Sequence, residues 1–107
     1  MKPDIDERYY LLRELEREEN QSQRALARQL GFSLGKINFL IGELVKKGFI
    51  KMENFAHNRN KAQYRYILTP RGIREKMRVT RAFIGRKERE YEKICREIEE
   101  AKEAIGN

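Results

Sequence analysis

The sequence has one cysteine, Cys95, among 107 residues. No intrachain disulfide can form, and no cysteine cluster can hold a metal. The one histidine, His57, has no acidic or cysteine partner nearby in the chain, so it reads as a surface or phosphate-contacting residue. No Gly-rich phosphate loop is present. Glu43, Glu53 and His57 make no recognisable acid-base or nucleophile arrangement, so no enzymatic activity, cofactor or metal is expected. No apolar run approaches the roughly 20 residues of a membrane span. The opening MKPDIDERYY lacks the apolar stretch of a secretory signal, which makes the cytoplasm the expected compartment.

What is present is charge, and it is unevenly placed. Apolar residues make up 39% of the chain and charged residues 38%, enough for one small domain, or one domain with an appendage, under a large charged surface. The net charge is +7 and the pI about 9.7, which points to an anionic partner. Residues 1–19 carry 4 basic and 7 acidic side chains, net −3. Residues 20–89 carry 17 and 4, net +13, and residues 90–107 carry 3 and 6, net −3. The positive charge is confined to the middle of the chain.

That middle begins with QRALARQLGFSLGKINFLIGELV, residues 23–45. Ala27, Gly31 and Ile37 have the spacing of two helices joined by a tight turn. Ala27 is small where the helices cross, Gly31 can adopt the left-handed backbone that ends the first helix, and Ile37 faces the core from the second. Ser22 and Ser33 are suited to cap helices over about 23–30 and 34–47. Ala25, Leu26, Ala27 and Leu30 line the buried side of the first. Ile37, Leu40, Ile41 and Leu44 form the apolar stripe of the second. Ser33, Gly35, Lys36, Asn38 and Phe39 are then left on the outer side of its first turns, where a recognition helix meets base edges. Asn can bond adenine twice, Lys can reach guanine or phosphate, and an apolar side chain can touch a thymine methyl. Phe39 can alternatively pack on a first helix expected over 5–19 or on the wing, a two-stranded hairpin expected over 49–68. Arg24, Arg28, Lys46 and Lys47 are weaker candidates for the DNA backbone. An ordinary helical hairpin would share the helix pattern without the charge.

A first helix is expected over 5–19, with Ile5, Tyr9, Leu11, Leu12 and Leu15 on its apolar face, and Asn20 and Gln21 suit a very short strand. After Gly48, FIKMENF (49–55) and YRYIL (64–68) read as two strands of a hairpin. Asn58, Arg59, Asn60 and Lys61 fall at its tip, suited to phosphates or to a narrow minor groove. Thr69 and Pro70 are a strong helix start. No proline follows, so the last helix can run to about 105, roughly 54 Å. Met77, Ile84, Tyr91, Ile98 and Ile105 recur every seven residues, with Ile73, Thr80, Lys87, Ile94 and Ala101 midway. This is the pattern of a coiled coil with polar interruptions at Thr80 and Lys87. A second copy of the chain is the expected partner, with Met77, Ile84, Tyr91, Ile94, Ile98, Ala101 and Ile105 in the dimer seam. Packing on the domain is plausible only for 71–84. Gly85 can allow a bend or a close approach. Arg71, Arg74, Arg78 and Arg81 either face DNA or balance acidic residues.

Helix, helix-turn-helix, two-stranded wing and long helix is the order of a winged helix. Residues 22–72 resemble the MarR family of bacterial regulators. The likeness lies in the turn Leu30-Gly31-Phe32-Ser33, the helix exit Leu44-Val45-Lys46-Lys47-Gly48-Phe49-Ile50, and Leu68-Thr69-Pro70-Arg71-Gly72. Nearly the full length is similar to a short branch, the EPS-associated MarR-type regulators found beside exopolysaccharide gene clusters. There the matching pieces are Ser33, Leu34, Gly35, Lys36 and Asn38, then Asn58 to Lys61, then Leu68 to Lys76. The resemblance implies transcription control by a DNA-binding homodimer. A full-length MarR protein has extra helices at both ends that build its dimer interface and ligand pocket. This chain has one short helix before and one long helix after, so phenolic-ligand sensing is not carried over and the effector is unassigned.

The expected fold is mainly α with a small β-hairpin. A winged helix-turn-helix domain over 1–69 (helix-turn-helix 22–47, wing 49–68) precedes a C-terminal coiled-coil dimerisation helix over 70–107. The expected partners are double-stranded DNA and a second copy, not a membrane. Rival functions are a protein-protein interaction module, a non-specific nucleic-acid binder and an RNA binder.

Overall fold

A computed structural model describes residues 5–18, 21–54 and 64–106. The elements are α1 (Ile5–Arg17), α2 (Gln23–Leu30), α3 (Leu34–Lys46), β1 (Ile50–Asn54), β2 (Tyr64–Leu68) and α4 (Pro70–Ala104). Mainly helical, with one two-stranded antiparallel hairpin, this is a winged helix-turn-helix followed by a long helix.

Leu11, Leu12 and Leu15 of α1 are fully buried, and α2 and α3 close over them with Leu26, Ala27, Ile37, Leu40, Ile41 and Leu44. Ile50 of β1, Tyr66 of β2 and Val79 of α4 complete the core. Each fully buried side chain of this size contributes roughly 1.5–3 kcal/mol. Ile5, expected on the same face, is exposed at the first residue of α1.

The helix ends follow from their caps. Ser22 Oγ accepts the Ala25 N–H at 3.0 Å, and Ser33 Oγ accepts that of Lys36 at 3.1 Å. Gly31 closes α2 with φ 70°, and Gly48 follows α3 with φ 75°; both values are strained for any residue with a Cβ. Of the two residues suited to a short strand, Asn20 lies outside the described residues and Gln21 is not in a strand. The sheet has two strands among the described residues, and Gln21 is buried with its amide donating to Glu14 Oε1 at 3.1 Å and to the Glu18 carbonyl. A buried amide needs such partners, so Gln21 ties the α1–α2 corner instead of extending the sheet.

β1 and β2 pair from Ile50↔Leu68 at the base to Asn54↔Tyr64. At that base, Thr69 makes a clamp. Its Oγ1 donates to the Gly48 carbonyl and accepts the Gly72 N–H, while its own N–H donates to the Phe49 carbonyl at 3.0 Å. The start of α4 is thereby fixed to the end of α3. Gly72 lies directly on the Phe49 carbonyl, and a Cβ there would come within 1.9 Å of the oxygen.

The first half of α4 belongs to the domain. Val79 is fully buried, Phe83 stacks on Tyr9 at 4.2 Å between ring centroids, Tyr10 meets Phe83 edge-on, and Arg86 pairs with Asp6 of α1. From Lys87 to Ala104 every residue except Cys95 is exposed. The helix therefore projects beyond the domain and stretches the protein to 69 × 26 × 26 Å. Gly85 makes no close approach: a Cβ there would meet only the tip of Arg89, at 3.6 Å.

Candidate nucleic-acid interface

The outer surface of α3 is set by its stripe. With Ile37, Leu40, Ile41 and Leu44 inward, Ser33, Leu34, Gly35, Asn38 and Gly42 are exposed. Asn38 Nδ2 donates to Gln23 Oε1 of α2 at 3.2 Å on this open surface. The pair joins the first residue of α2 to the second turn of α3. At Gly35 and Gly42 a Cβ would meet nothing within 4 Å. The packing of the domain therefore does not require glycine there, although an interior helical glycine costs up to about 1 kcal/mol relative to alanine.

Two of the expected recognition residues are held elsewhere. Phe39, open in the sequence to both outward reading and inward packing, is half-buried and packs against the core. A large ring gains more from that contact than from water. Lys36 pairs with Glu7 of α1 and lies over the Phe32 ring at 5.5 Å, so its ammonium is turned toward the domain. Leu34, which the stripe alone did not single out for this surface, is 45% exposed and takes the place of the outward apolar side chain. Its position one residue after the Ser33 cap, before the first core residue Ile37, was the available signal. Gln23 was also missed; its only sequence cue was its place after the Ser22 cap.

Arg24 and Arg28 are exposed on α2, and Lys46 and Lys47 at the end of α3. Near that end lie further cations of α4. The Arg71 guanidinium stands over the Phe49 ring at 5.7 Å and that of Arg8 at 5.9 Å, and Arg74, Glu75 and Arg78 line the same hollow. Glu75 is buried and shared. Arg78 donates to both of its oxygens, at 2.7 and 2.8 Å, and Arg8 of α1 donates to Oε2. The hydrogen bonds from Arg78, opposed by burial and reinforced by Arg8, hold the Glu75 carboxyl below the usual carboxylate range. Arg78 thus balances an acid, whereas Arg71 caps an aromatic ring at the base of the hairpin.

The wing residues Asn58, Arg59, Asn60 and Lys61, and His57 beside them, lie outside the described residues. Among the described residues no three His, Cys, Asp or Glu side chains meet as metal ligands, and no helix is long and apolar enough to cross a membrane.

Comparison with known proteins agrees with this geometry. Residues 11–51 match the family described as winged helix-turn-helix DNA-binding. No curated protein matches the sequence significantly. Among solved structures, a MarR transcriptional regulator from Methanosarcina mazei is similar with TM-score 0.66 and 22% identity, over 79% of this chain and 60% of that one. The PcaV transcriptional regulator from Streptomyces coelicolor gives 0.63 and 17%, over 91% and 78%. The Staphylococcus aureus MepR–DNA complex gives 0.64 and 19%, over 78% and 60%. Another MarR family regulator is covered over 55% of its length, so the chain spans little more than half of several of these proteins. From α1 through the wing to the long last helix, the chain has the winged helix-turn-helix fold of solved MarR-family regulators.

Proposed function

We propose that the protein is a transcription regulator that binds double-stranded DNA sequence-specifically, as a homodimer on an inverted-repeat operator. The observation that carries this reading is the exposed face of α3, polar or bare of side chains at Ser33, Gly35, Asn38 and Gly42, within a stretch of net charge +13. Asn38 would exchange its bond to Gln23 for an adenine edge, and Leu34 would take a thymine methyl. Gly35 and Gly42 would let the helix backbone approach the groove. Ser33 would serve a base or phosphate through its hydroxyl proton, its lone pair being engaged by the cap. Lys36 must leave Glu7 to reach DNA, so it is assigned to a phosphate. Asn58, Arg59, Asn60 and Lys61 are assigned to the backbone or minor groove on their composition and their place between the two strands. Arg24, Arg28, Lys46 and Lys47 would add phosphate contacts, giving affinity and salt dependence but not specificity.

Homodimerisation is assigned to α4. Met77, Ile84, Tyr91, Ile94, Ile98 and Ile105 are all exposed in the single chain, along with Ala101. So long an apolar stripe is unfavourable in water without a partner. The similarity to EPS-associated regulators extends the proposal to exopolysaccharide genes as targets. Selection from a random duplex library over a salt series tests the whole. Enrichment of an inverted repeat is expected. Salt-sensitive binding without enrichment would mean a non-specific binder, and no binding at low salt would mean an interaction module. Preference for RNA in direct competition would also overturn the reading.

A further inference from the structure

We infer that α4 pairs with α4 of a second copy in antiparallel orientation, about a two-fold axis near Arg89, and this rests on the dimer reading above. Between Ile73 and Tyr91 the apolar stripe runs along the flank of α4 beside its domain-facing side, at about 80° to 160° from Val79 by 100° per residue. Val79 faces the core while Met77 and Ile84, at 160° and 140° around the helix by 100° per residue, face away and are about half exposed. The stripe continues from Ile73 to Ile105. A second helix can therefore run along it, meeting α1 at Glu16, which borders the stripe beside Met77 and Thr80.

Charge decides the direction. Residues 71–89 of α4 carry 8 basic and 2 acidic side chains, net +6, and residues 90–104 carry 3 and 6, net −3. Parallel pairing sets like-charged halves side by side. Antiparallel pairing sets the acidic half of each helix along the basic half of the other. The seam makes the same choice. In a parallel pair each stripe residue faces its own copy, so Lys87 would face Lys87 across the seam, two ammoniums in contact. In an antiparallel pair whose residue numbers sum to 178, every stripe position finds a partner: 73 with 105, 77 with 101, 80 with 98, 84 with 94, and 87 with 91. Lys87 then meets the Tyr91 ring of the other copy, a favourable cation–aromatic contact. Thr80 already donates its hydroxyl to the Lys76 carbonyl at 2.6 Å, so its methyl can face Ile98 of the other copy.

The surface of the single chain has hollows at these levels. One, about 310 Å³, is lined by Glu16, Ile73, Lys76, Met77, Thr80 and Arg81. The other, about 440 Å³, lies among Phe83, Ile84, Lys87, Glu88, Tyr91 and Glu92. The register places Ile98 of the other copy over the first, and Ile94 and Tyr91 of the other copy over the second. Each domain packs on α4 around Val79, which lies level with residue 99 of the other helix. The two domains are then offset by 20 residues along the rod, about 30 Å, close to the roughly 34–36 Å of one turn of DNA. A parallel pair would give no offset along the rod.

Engineered cysteines in a Cys95→Ser background test the orientation. Antiparallel pairing puts Ile84 opposite Ile94 of the other copy, and separates each of these from its own copy by 10 residues, about 15 Å along the axis. That is too far for a disulfide, which requires Cα atoms within about 7 Å. Ile84→Cys plus Ile94→Cys in one chain should oxidise to a covalent dimer, while each single substitution should not. Crosslinking by either single variant would show parallel pairing and overturn the inference. A dimeric mass by light scattering with no crosslink in any variant would overturn the register. A monomeric mass for the unmodified protein would instead remove the dimer reading itself. All three residues lie outside the core, so the variants test pairing without disturbing the domain fold.

Discussion

Replacing Gly72 by alanine sets two effects against each other. By helix propensity alone, Gly72→Ala near the start of α4 should stabilise the protein by up to about 1 kcal/mol. The packing says otherwise. The new Cβ would be 1.9 Å from the Phe49 oxygen, 2.8 Å from its carbonyl carbon and 3.3 Å from its Cα. Backbone must separate by more than 1 Å to restore ordinary contact, and no flexible side chain is there to yield. That movement pulls on three bonds at once: Thr69 N–H to the Phe49 carbonyl, Thr69 Oγ1 to the Gly48 carbonyl, and the Gly72 N–H to Thr69 Oγ1. At about 1 kcal/mol for each hydrogen bond, less the propensity gain, the net loss is about 2–3 kcal/mol. Against a total stability of about 5–15 kcal/mol for a domain, and a urea slope of roughly 1–3 kcal/mol per M, the midpoint should fall by about 1–2 M. Urea melts followed by helical circular dichroism measure this, at one fixed protein concentration because a dimer's stability depends on it. Gly42→Ala is the control, since nothing lies within 4 Å of a Cβ there; it should gain about 0.5–1 kcal/mol. If Gly72→Ala melts at or above the parent midpoint, the close approach does not exist as described.

The other predictions concern charge and recognition. Glu75→Gln should cost about 3 kcal/mol at neutral pH, because it leaves the mostly buried Arg8 without its carboxylate. The folded-state pKa of Glu75 is depressed below 4.5, so this stabilisation is present above the unfolded value and is lost as pH falls through the folded one. The difference between parent and variant urea midpoints should therefore shrink below about pH 4.5, and a gap that stays constant down to strong acid would contradict the assignment. Asn38→Ala should relax base preference at one position per half-site in the selection experiment, and an equal loss on all sequences would remove its base-reading role. Arg24→Ala with Arg28→Ala should weaken binding to every duplex alike and flatten the salt dependence by about one unit of slope per arginine in each protomer; an unchanged slope would place both outside the interface.

The elements were legible because their boundaries are written in local chemistry. Ser22, Ser33 and Thr69 each cap the helix they precede, and Gly31 and Gly48 each supply the left-handed backbone after one. Those signals act within a few residues, so α2 and β2 begin and end where the sequence places them. What local chemistry does not encode is which of several apolar faces meets which neighbour. Ile5 has the right phase for the core and is exposed, because it opens α1 and phase does not say how far along a helix the core extends. Gln21 looks like the start of a strand and is instead a buried amide serving Glu14 and Glu18. The resemblance in Leu68-Thr69-Pro70-Arg71-Gly72 was visible from sequence, but only the structure gives each residue its work. Thr69 clamps two elements, Arg71 covers Phe49, and Gly72 makes room for a carbonyl.

The candidate interface was less legible than the fold for a related reason. A helical wheel assigns a side chain by the direction of its Cβ, and long side chains do not stop there. Lys36 can turn back to Glu7, and Phe39 can fold against the core from a position the wheel points outward. Residues too short to turn away stay where the wheel puts them: Ser33, Gly35, Asn38 and Gly42 all remain exposed. The surface offered by α3 is consequently low and open, with Asn38 as its main hydrogen-bonding side chain and cations at its borders. An interface of that kind separates two tasks. On the proposed reading, bare helix and Asn38 would determine how closely and where the helix enters a groove, while Arg24, Arg28, Lys46 and Lys47 would determine how strongly it is held. Returning bulk to the bare face with Gly35→Ala should then stabilise the free protein and weaken its operator complex together, measured by melting and by duplex titration on the same preparation. A variant more stable and equally tight would place the DNA on another surface.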